Sequence, residues 1–152
     1  MDKSGREKYV MKKISIVVPT YNEEDNVEPM AEALSQLFEN ELAEYDYEIL
    51  FIDNDSADTT RIKLRKICEN NKKIKAIFNA SNFGWMRSPI YGLRQTTGDC
   101  SVLLCADFQE PVQEVLYRTE TQICQQLMTY IKRQQISLKI MMLMREKSQR
   151  LL

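Results

Sequence analysis

The chain has 152 residues, about one domain's worth, and 21 Lys+Arg against 22 Asp+Glu, so no net charge draws it to nucleic acid or an anionic membrane. At 43% hydrophobic residues it can bury a core. It contains no histidine, which excludes Ser-His-Asp and Cys-His catalysts, histidine metal sites and a histidine pH switch.

Cys68, Cys100, Cys105 and Cys124 lack C-x-x-C spacing, so a zinc ribbon or thioredoxin motif is not expected. Several lie in apolar runs, as free buried thiols do, and point to a reducing, cytoplasmic setting. Residues 1–13 are polar, without the apolar stretch of a signal peptide. A spanning helix needs about 18 apolar residues. The longest candidate, 136–144, contains Lys139.

Four short apolar runs recur in chain order: 14–18, 47–52, 74–78 and 100–104. They are mostly β-branched or aromatic, with turn formers such as Asn54, Asn79 and Asp99 beside them. The first is nearly continuous, as in a strand covered on both faces. Helical patterns separate them. Residues 25–38 place Val27, Met30, Ala31, Leu34, Leu37 and Phe38 on one stripe, with Asn22 or Asp25 as cap. Residues 58–68 carry Ile62, Leu64, Ile67 and Cys68, capped by Ser56 or Asp58. Residues 86–95 carry Ile90, Tyr91 and Leu93, with Gly98 as the stop. This alternation predicts right-handed βαβ units and a mainly parallel sheet.

The pattern ends near Pro111. From Val112 onward the chain is rich in Gln, without Gly or Pro. Stripes at Ile123, Leu127, Tyr130 and Ile131, and at Ile140, Leu143 and Met144, predict a helical tail. The expected plan is a polar extension over 1–12, one α/β domain over 13–111 and a divergent tail over 112–152.

Parallel α/β sheets bind ligands outside the carboxyl ends of their strands. Those ends carry Pro19-Thr20-Tyr21-Asn22-Glu23-Glu24, Asp53-Asn54-Asp55-Ser56, Asn79-Ala80-Ser81-Asn82-Phe83-Gly84 and Cys105-Ala106-Asp107-Phe108-Gln109-Glu110. Taken singly, Asp53 and Asn82 read as turn formers, Asp58 as a helix cap and Tyr21 as a packed aromatic. Taken together, the carboxylates need a positive charge among them. Asp107 and Gln109, hard oxygen donors, suit Mg²⁺ or Mn²⁺ with phosphates completing the shell. Asp53 suits a base or ribose donor, and Tyr21 offers a stacking face. No G-x-G-x-x-G or G-x-x-x-x-G-K-S/T is present.

The segment 16–27, IVVPTYNEEDNV, resembles the opening of family 2 glycosyltransferases, which are inverting, nucleotide-sugar-dependent enzymes of the GT-A fold. Residues 51–60, FIDNDSADTT, resemble their D-D-G-S-x-D-x-T motif. Ser81-Asn82-Phe83-Gly84 and Thr97-Gly98-Asp99 match further landmarks, and Ala106-Asp107-Phe108-Gln109-Glu110-Pro111 resembles the D-A-D-L-Q-D-P of the dolichyl- and undecaprenyl-phosphate sugar synthases. The resemblance implies the N-terminal, donor-binding half of a Rossmann-like GT-A domain. Pro19, Tyr21, Glu23, Asp53 and Asn82 would bind the nucleotide sugar, Asp53 at the base. Asp107 and Gln109 would bind the metal. The sugar would pass with inversion to a polyprenyl phosphate, and full-length relatives would associate with the inner face of the membrane.

Cys105 stands where the first Asp of D-x-D is usual. Asn54 replaces the second Asp of the second motif, and Asp55 its Gly, a substitution that Asp tolerates on turn backbones. The resemblance is expected to stop at Pro111, as in a truncated or frame-shifted product with no acceptor half. Its open edge and apolar patches would then favour self-association. The alternatives are a catalytically dead nucleotide-sugar binding module and, behind it, a nucleotidyltransferase.

Overall fold

The computed structural model describes residues 13–116. Within them run β1 (Lys13–Thr20), α1 (Val27–Asn40), β2 (Asp46–Asp53), α2 (Thr60–Asn70), β3 (Ile74–Phe78), α3 (Gly84–Gln95) and β4 (Cys100–Leu103). The sheet is ordered β3-β2-β1-β4, and all three pairings are parallel. The expected α/β alternation is present. The extension over 1–12 and the tail stripes from Ile123 onward lie outside the described residues.

Two helices cover one face of the sheet. Ile14, Ile16 and Val18 of β1 and Ile49 and Phe51 of β2 meet the α1 stripe Val27, Met30, Ala31, Leu34, Leu37 and Phe38, all buried. Phe38 stacks on Tyr47 at 4.2 Å between ring centroids. Burying such side chains contributes roughly 1.5–3 kcal/mol each. In α2 only Thr60 and Leu64 are buried, and Ile62 faces solvent. The expected stripe was too wide, because residues two apart on a helix point to opposite sides.

The other face packs on α3, and here the sequence pattern misleads. The helix turns Ser88, Pro89 and Gly92 to the sheet, while Ile90 and Tyr91 are exposed. The approach is too close for larger residues: a Cβ on Gly92 would lie 2.8 Å from Val17 Cγ1. Gly98 is not the helix stop either, since α3 ends at Gln95. Its place is steric. A Cβ there would sit 2.5 Å from Ser15 Oγ and 2.9 Å from the Lys13 carbonyl. Beside it, the Asp99 amide donates to Lys13 O at 2.8 Å and the Lys13 amide to Asp99 Oδ2 at 2.9 Å, which registers β4 on β1.

Glu48 anchors the same end of α3. It is 3% exposed. Its Oε1 accepts from Ser15 Oγ at 2.7 Å, the Thr97 amide at 2.6 Å and Thr97 Oγ1 at 2.9 Å, and its Oε2 accepts from Lys75 Nζ at 2.8 Å. Burial raises its pKa, but these donors and Lys75 outweigh that and hold it at about 2. Cys68, half-buried, and Cys105, exposed, are not disulfide-bonded. Cys100 is fully buried.

Candidate functional site

The chain leaves β3 on one side of β1 and returns as β4 on the other. Between β1 and β4 the winding therefore reverses, the place where open α/β sheets hold ligands. A cavity of about 540 Å³ opens there at the carboxyl ends of the strands. Pro19, Tyr21, Glu23, Asn82 and Asp107, all singled out from the sequence, line it. So do Asn54, Trp85, Ser88, Pro89 and Cys105.

The residues of the second motif lace its loop to the loop after β1. Ser56 Oγ accepts from the Asn22 amide at 2.9 Å, and Thr60 Oγ1 from the Glu23 amide at 2.8 Å. Asp58 accepts from the Glu24 amide at 3.2 Å and from the Thr60 amide at 3.0 Å. The N-cap of α2 is Thr59, without a side-chain cap bond; Asp58, one residue ahead, takes the first N–H of the helix and ties the two loops together. Burial raises the Asp58 pKa, but bonds from Thr60 and Glu24 prevail and leave it below the usual carboxylate value. Asn22 is no cap for α1. Its φ is +54° and its Oδ1 accepts from the Ala57 amide at 2.9 Å. Asp55 has φ +68°, the backbone for which the motif's glycine is suited, and its carboxylate meets Arg61 at 3.1 Å.

Asp53 and Gln109 do not line the cavity. Asp53 is fully buried. Its Oδ2 accepts from the Ser56 amide at 3.2 Å and lies 3.4 Å from Arg61 Nε, whereas its Oδ1 has no partner among the described residues. Gln109 is exposed, and its amide donates to Asp107 Oδ1 at 3.2 Å. The intervening Phe108 has φ +56°, a costly conformation for an aromatic residue, in the loop that presents Asp107.

Tyr21 is 51% exposed at the cavity edge, so it is not a packed core aromatic. Trp85 is 83% exposed at the start of α3. Pro89, four residues on, has no N–H, so the Trp85 carbonyl lacks an intrahelical donor beside the cavity. From the sequence Asn54 is a turn former and a departure from the family's second motif; its place in the cavity lining is what the structure adds. It is buried, and its amide joins Asn79, Asn82 and the backbone of residues 83 and 84.

Among the described residues, the charged side chains lining the cavity are Glu23 and Asp107, both carboxylates, with no Lys or Arg. Glu23 Oε2 accepts from Asn26 Nδ2 at 2.7 Å. Among the described residues, no group of three or more His, Cys, Asp and Glu side chains gathers to hold a metal. The donor set is therefore sparse and hard: one or two carboxylates, with room for ligand oxygens. That suits Mg²⁺ or Mn²⁺, which keep waters and take substrate phosphates, better than a metal held wholly by protein.

Comparison with known proteins bears on the family and the fold. The profile described as "Glycosyl transferase family 2" matches residues 15–130, running past Pro111. The chain is 35% identical over 98 residues to the putative glycosyltransferase CsbB of Bacillus subtilis, covering 64% of this chain and 29% of that protein. It is 33% identical over 103 residues to a dolichol-phosphate mannosyltransferase of Pyrococcus furiosus, covering 68% and 28%. It thus spans under a third of either relative's length. The mannosyltransferase PcManGT from Pyrobaculum calidifontis, solved with GDP-Man and Mn²⁺, superposes with TM-score 0.56 at 24% identity, covering 72% of this chain and 31% of that one. The fold is consistent with the N-terminal half of the GT-A architecture. No helix among the described residues is long and apolar enough to cross a membrane. The chain belongs to glycosyl transferase family 2.

Proposed function

We propose that the cavity between the ends of β1 and β4 binds a nucleoside-diphosphate sugar together with Mg²⁺ or Mn²⁺, as the donor half of a glycosyltransferase. The observation that carries this is the lining itself. Glu23 and Asp107 are the charged side chains there, so a diphosphate enters only with a cation. When bound, the cation neutralises the leaving nucleoside diphosphate. Asp107 would be its ligand, with Gln109 beside it. Tyr21 would stack on the base, Pro19 would stiffen the turn beneath it, and Asn82 would face the ligand from the third loop. Asp53, fully buried and outside the lining, would act on the base site from beneath, by holding the Ser56 amide and Arg61.

The acceptor in this reading is a polyprenyl phosphate. One of its oxygens attacks the anomeric carbon as the bond to the diphosphate oxygen breaks. The electron pair leaves with the nucleotide and the configuration inverts. A phosphate arrives already anionic, since its second pKa is about 6. A chain with no histidine then needs no general base for this step. The name of the Pyrococcus relative, a dolichol-phosphate mannosyltransferase, supports the same acceptor class.

A second reading, binding without transfer, is favoured by Cys105, whose thiol stands in the cavity lining in place of a carboxylate. Calorimetry with a panel of UDP- and GDP-sugars and Mn²⁺, followed by an assay of nucleoside diphosphate release with and without polyprenyl phosphate, separates the two. Turnover supports the transferase. Binding without turnover supports the module. No metal-dependent binding refutes both.

A further inference from the structure

The family motif has a carboxylate where this chain has Asn54, and the hydrogen bonds around it explain why an amide works here. Two backbone donors fix the geometry. The Phe83 N–H can only donate, and it meets Asn54 Oδ1 at 2.9 Å. The Gly84 N–H can only donate, and it meets Asn82 Oδ1 at 2.8 Å. Both oxygens are thereby assigned. The atom of Asn54 that faces Asn82 Oδ1 at 2.7 Å must be the NH₂. That NH₂ also points to the Gly84 carbonyl at 3.5 Å, and Asn54 Oδ1 accepts a second bond from Asn79 Nδ2 at 3.2 Å. Asn79 in turn donates to Ser88 Oγ at 2.9 Å, on the sheet-facing side of α3.

We propose that Asn54 is a positioning residue: its amide, acceptor on one side and donor on the other, clamps the Asn82–Gly84 turn and the start of α3, which form one wall of the donor cavity. The clamp stands on the hydrogen bonds alone; its effect on ligand rests on the function proposed above. An ionised Asp at position 54 keeps the Phe83 bond but sets two acceptors face to face. Asn82 must then reverse its amide, and the Gly84 N–H loses its partner. A protonated Asp can donate and restores the arrangement. Asn82→Asp behaves differently, because position 82 acts only as an acceptor within this network.

The side chains bonded to Asn54, Asn79 and Asn82, do not titrate, nor does Ser88 beyond them. Charged groups on the elements packed around the clamp are Asp53 and Asp55 from β2 and its loop, Arg61 from α2, Arg87 from α3, and Glu23 and Asp107 lining the same cavity. All are common to wild type and variants, so a pH-dependent difference between them reports on the substituted position.

The test is amide hydrogen exchange by NMR on the ligand-free full chain, corrected for intrinsic rates, for wild type, Asn54→Asp and Asn82→Asp. In Asn54→Asp, Gly84 is expected to exchange about tenfold faster at pH 7.5 with Phe83 little changed, and the gap to close as the pH falls toward 4. In Asn82→Asp, Gly84 stays protected. Affinity for GDP or UDP with Mn²⁺ should fall in Asn54→Asp by about the same factor at pH 7.5. A wild type that binds no nucleotide refutes the proposed function and leaves the exchange result standing. The clamp is refuted if Gly84 exchanges equally in wild type and Asn54→Asp at every pH, or if both variants lose it equally. Should Asn54→Asp fail to fold while Asn82→Asp folds, the asymmetry supports the required donor; failure of both refutes it.

Discussion

Glu48→Gln tests how α3, and with it one wall of the cavity, is held to the sheet. The substitution keeps the size of the side chain and removes its charge. Native Glu48 takes three donors on Oε1 and the Lys75 ammonium on Oε2, and its pKa is held at about 2 against an ordinary 4.5. By linkage that gap corresponds to about 3 kcal/mol of native stability. Because the native value is the lower one, this contribution is complete above pH 4.5 and fades as the pH falls through 2. Gln retains an acceptor for Ser15 and Thr97 but turns an NH₂ toward Lys75. Urea unfolding at steps from pH 7 to pH 2.5 should therefore show wild type about 3 kcal/mol more stable at neutral pH, with the two curves converging in acid. Parallel curves would mean that Glu48 is not held ionised by these donors, and the reasoning would fail.

Other substitutions probe the remaining joints. Asp107→Ala should abolish metal-dependent nucleotide binding in calorimetry while leaving the melting temperature within a few degrees, because the residue is exposed. Asp58→Ala removes the acceptors of the Thr60 amide, the first of α2, and of the Glu24 amide together. It should cost about 1–2 kcal/mol in chemical denaturation, and the loss should shrink in acid, since the native Asp58 pKa lies below its ordinary value. Gly98→Ala forces a Cβ within 3 Å of the Lys13 and Ser15 backbone and should cost about 1–3 kcal/mol.

The strands were legible because buried parallel strands are short apolar runs between turn formers: β3 coincides with the expected 74–78, and the ends of β1, β2 and β4 differ by at most two residues. The face of α1 was legible because its stripe is regular. The face of α3 was not, because close packing selects small residues there, and Ser88, Pro89 and Gly92 carry no hydrophobic signal. At the site, residues immediately after β1 and β4 came together as expected, since a strand end fixes where its loop begins. Asp53 and Asn54 exchanged places relative to the cavity. Successive residues at a strand's end point to opposite faces, and only the sheet order reveals which face holds the ligand. Glu48 carried one readable signal, a charge inside an apolar strand, but its partner Thr97 is 49 residues away.

The central claim is that a cation and a diphosphate meet between the ends of β1 and β4. Mn²⁺ added with GDP or UDP to ¹⁵N-labelled protein tests it by paramagnetic broadening. The amides of Tyr21, Glu23, Cys105 and Asp107 should fade first while those of Lys13, Glu48 and Thr97, at the opposite end of the sheet, stay sharp. Broadening centred on the Asp46 and Glu48 end, or none that depends on nucleotide, would contradict it.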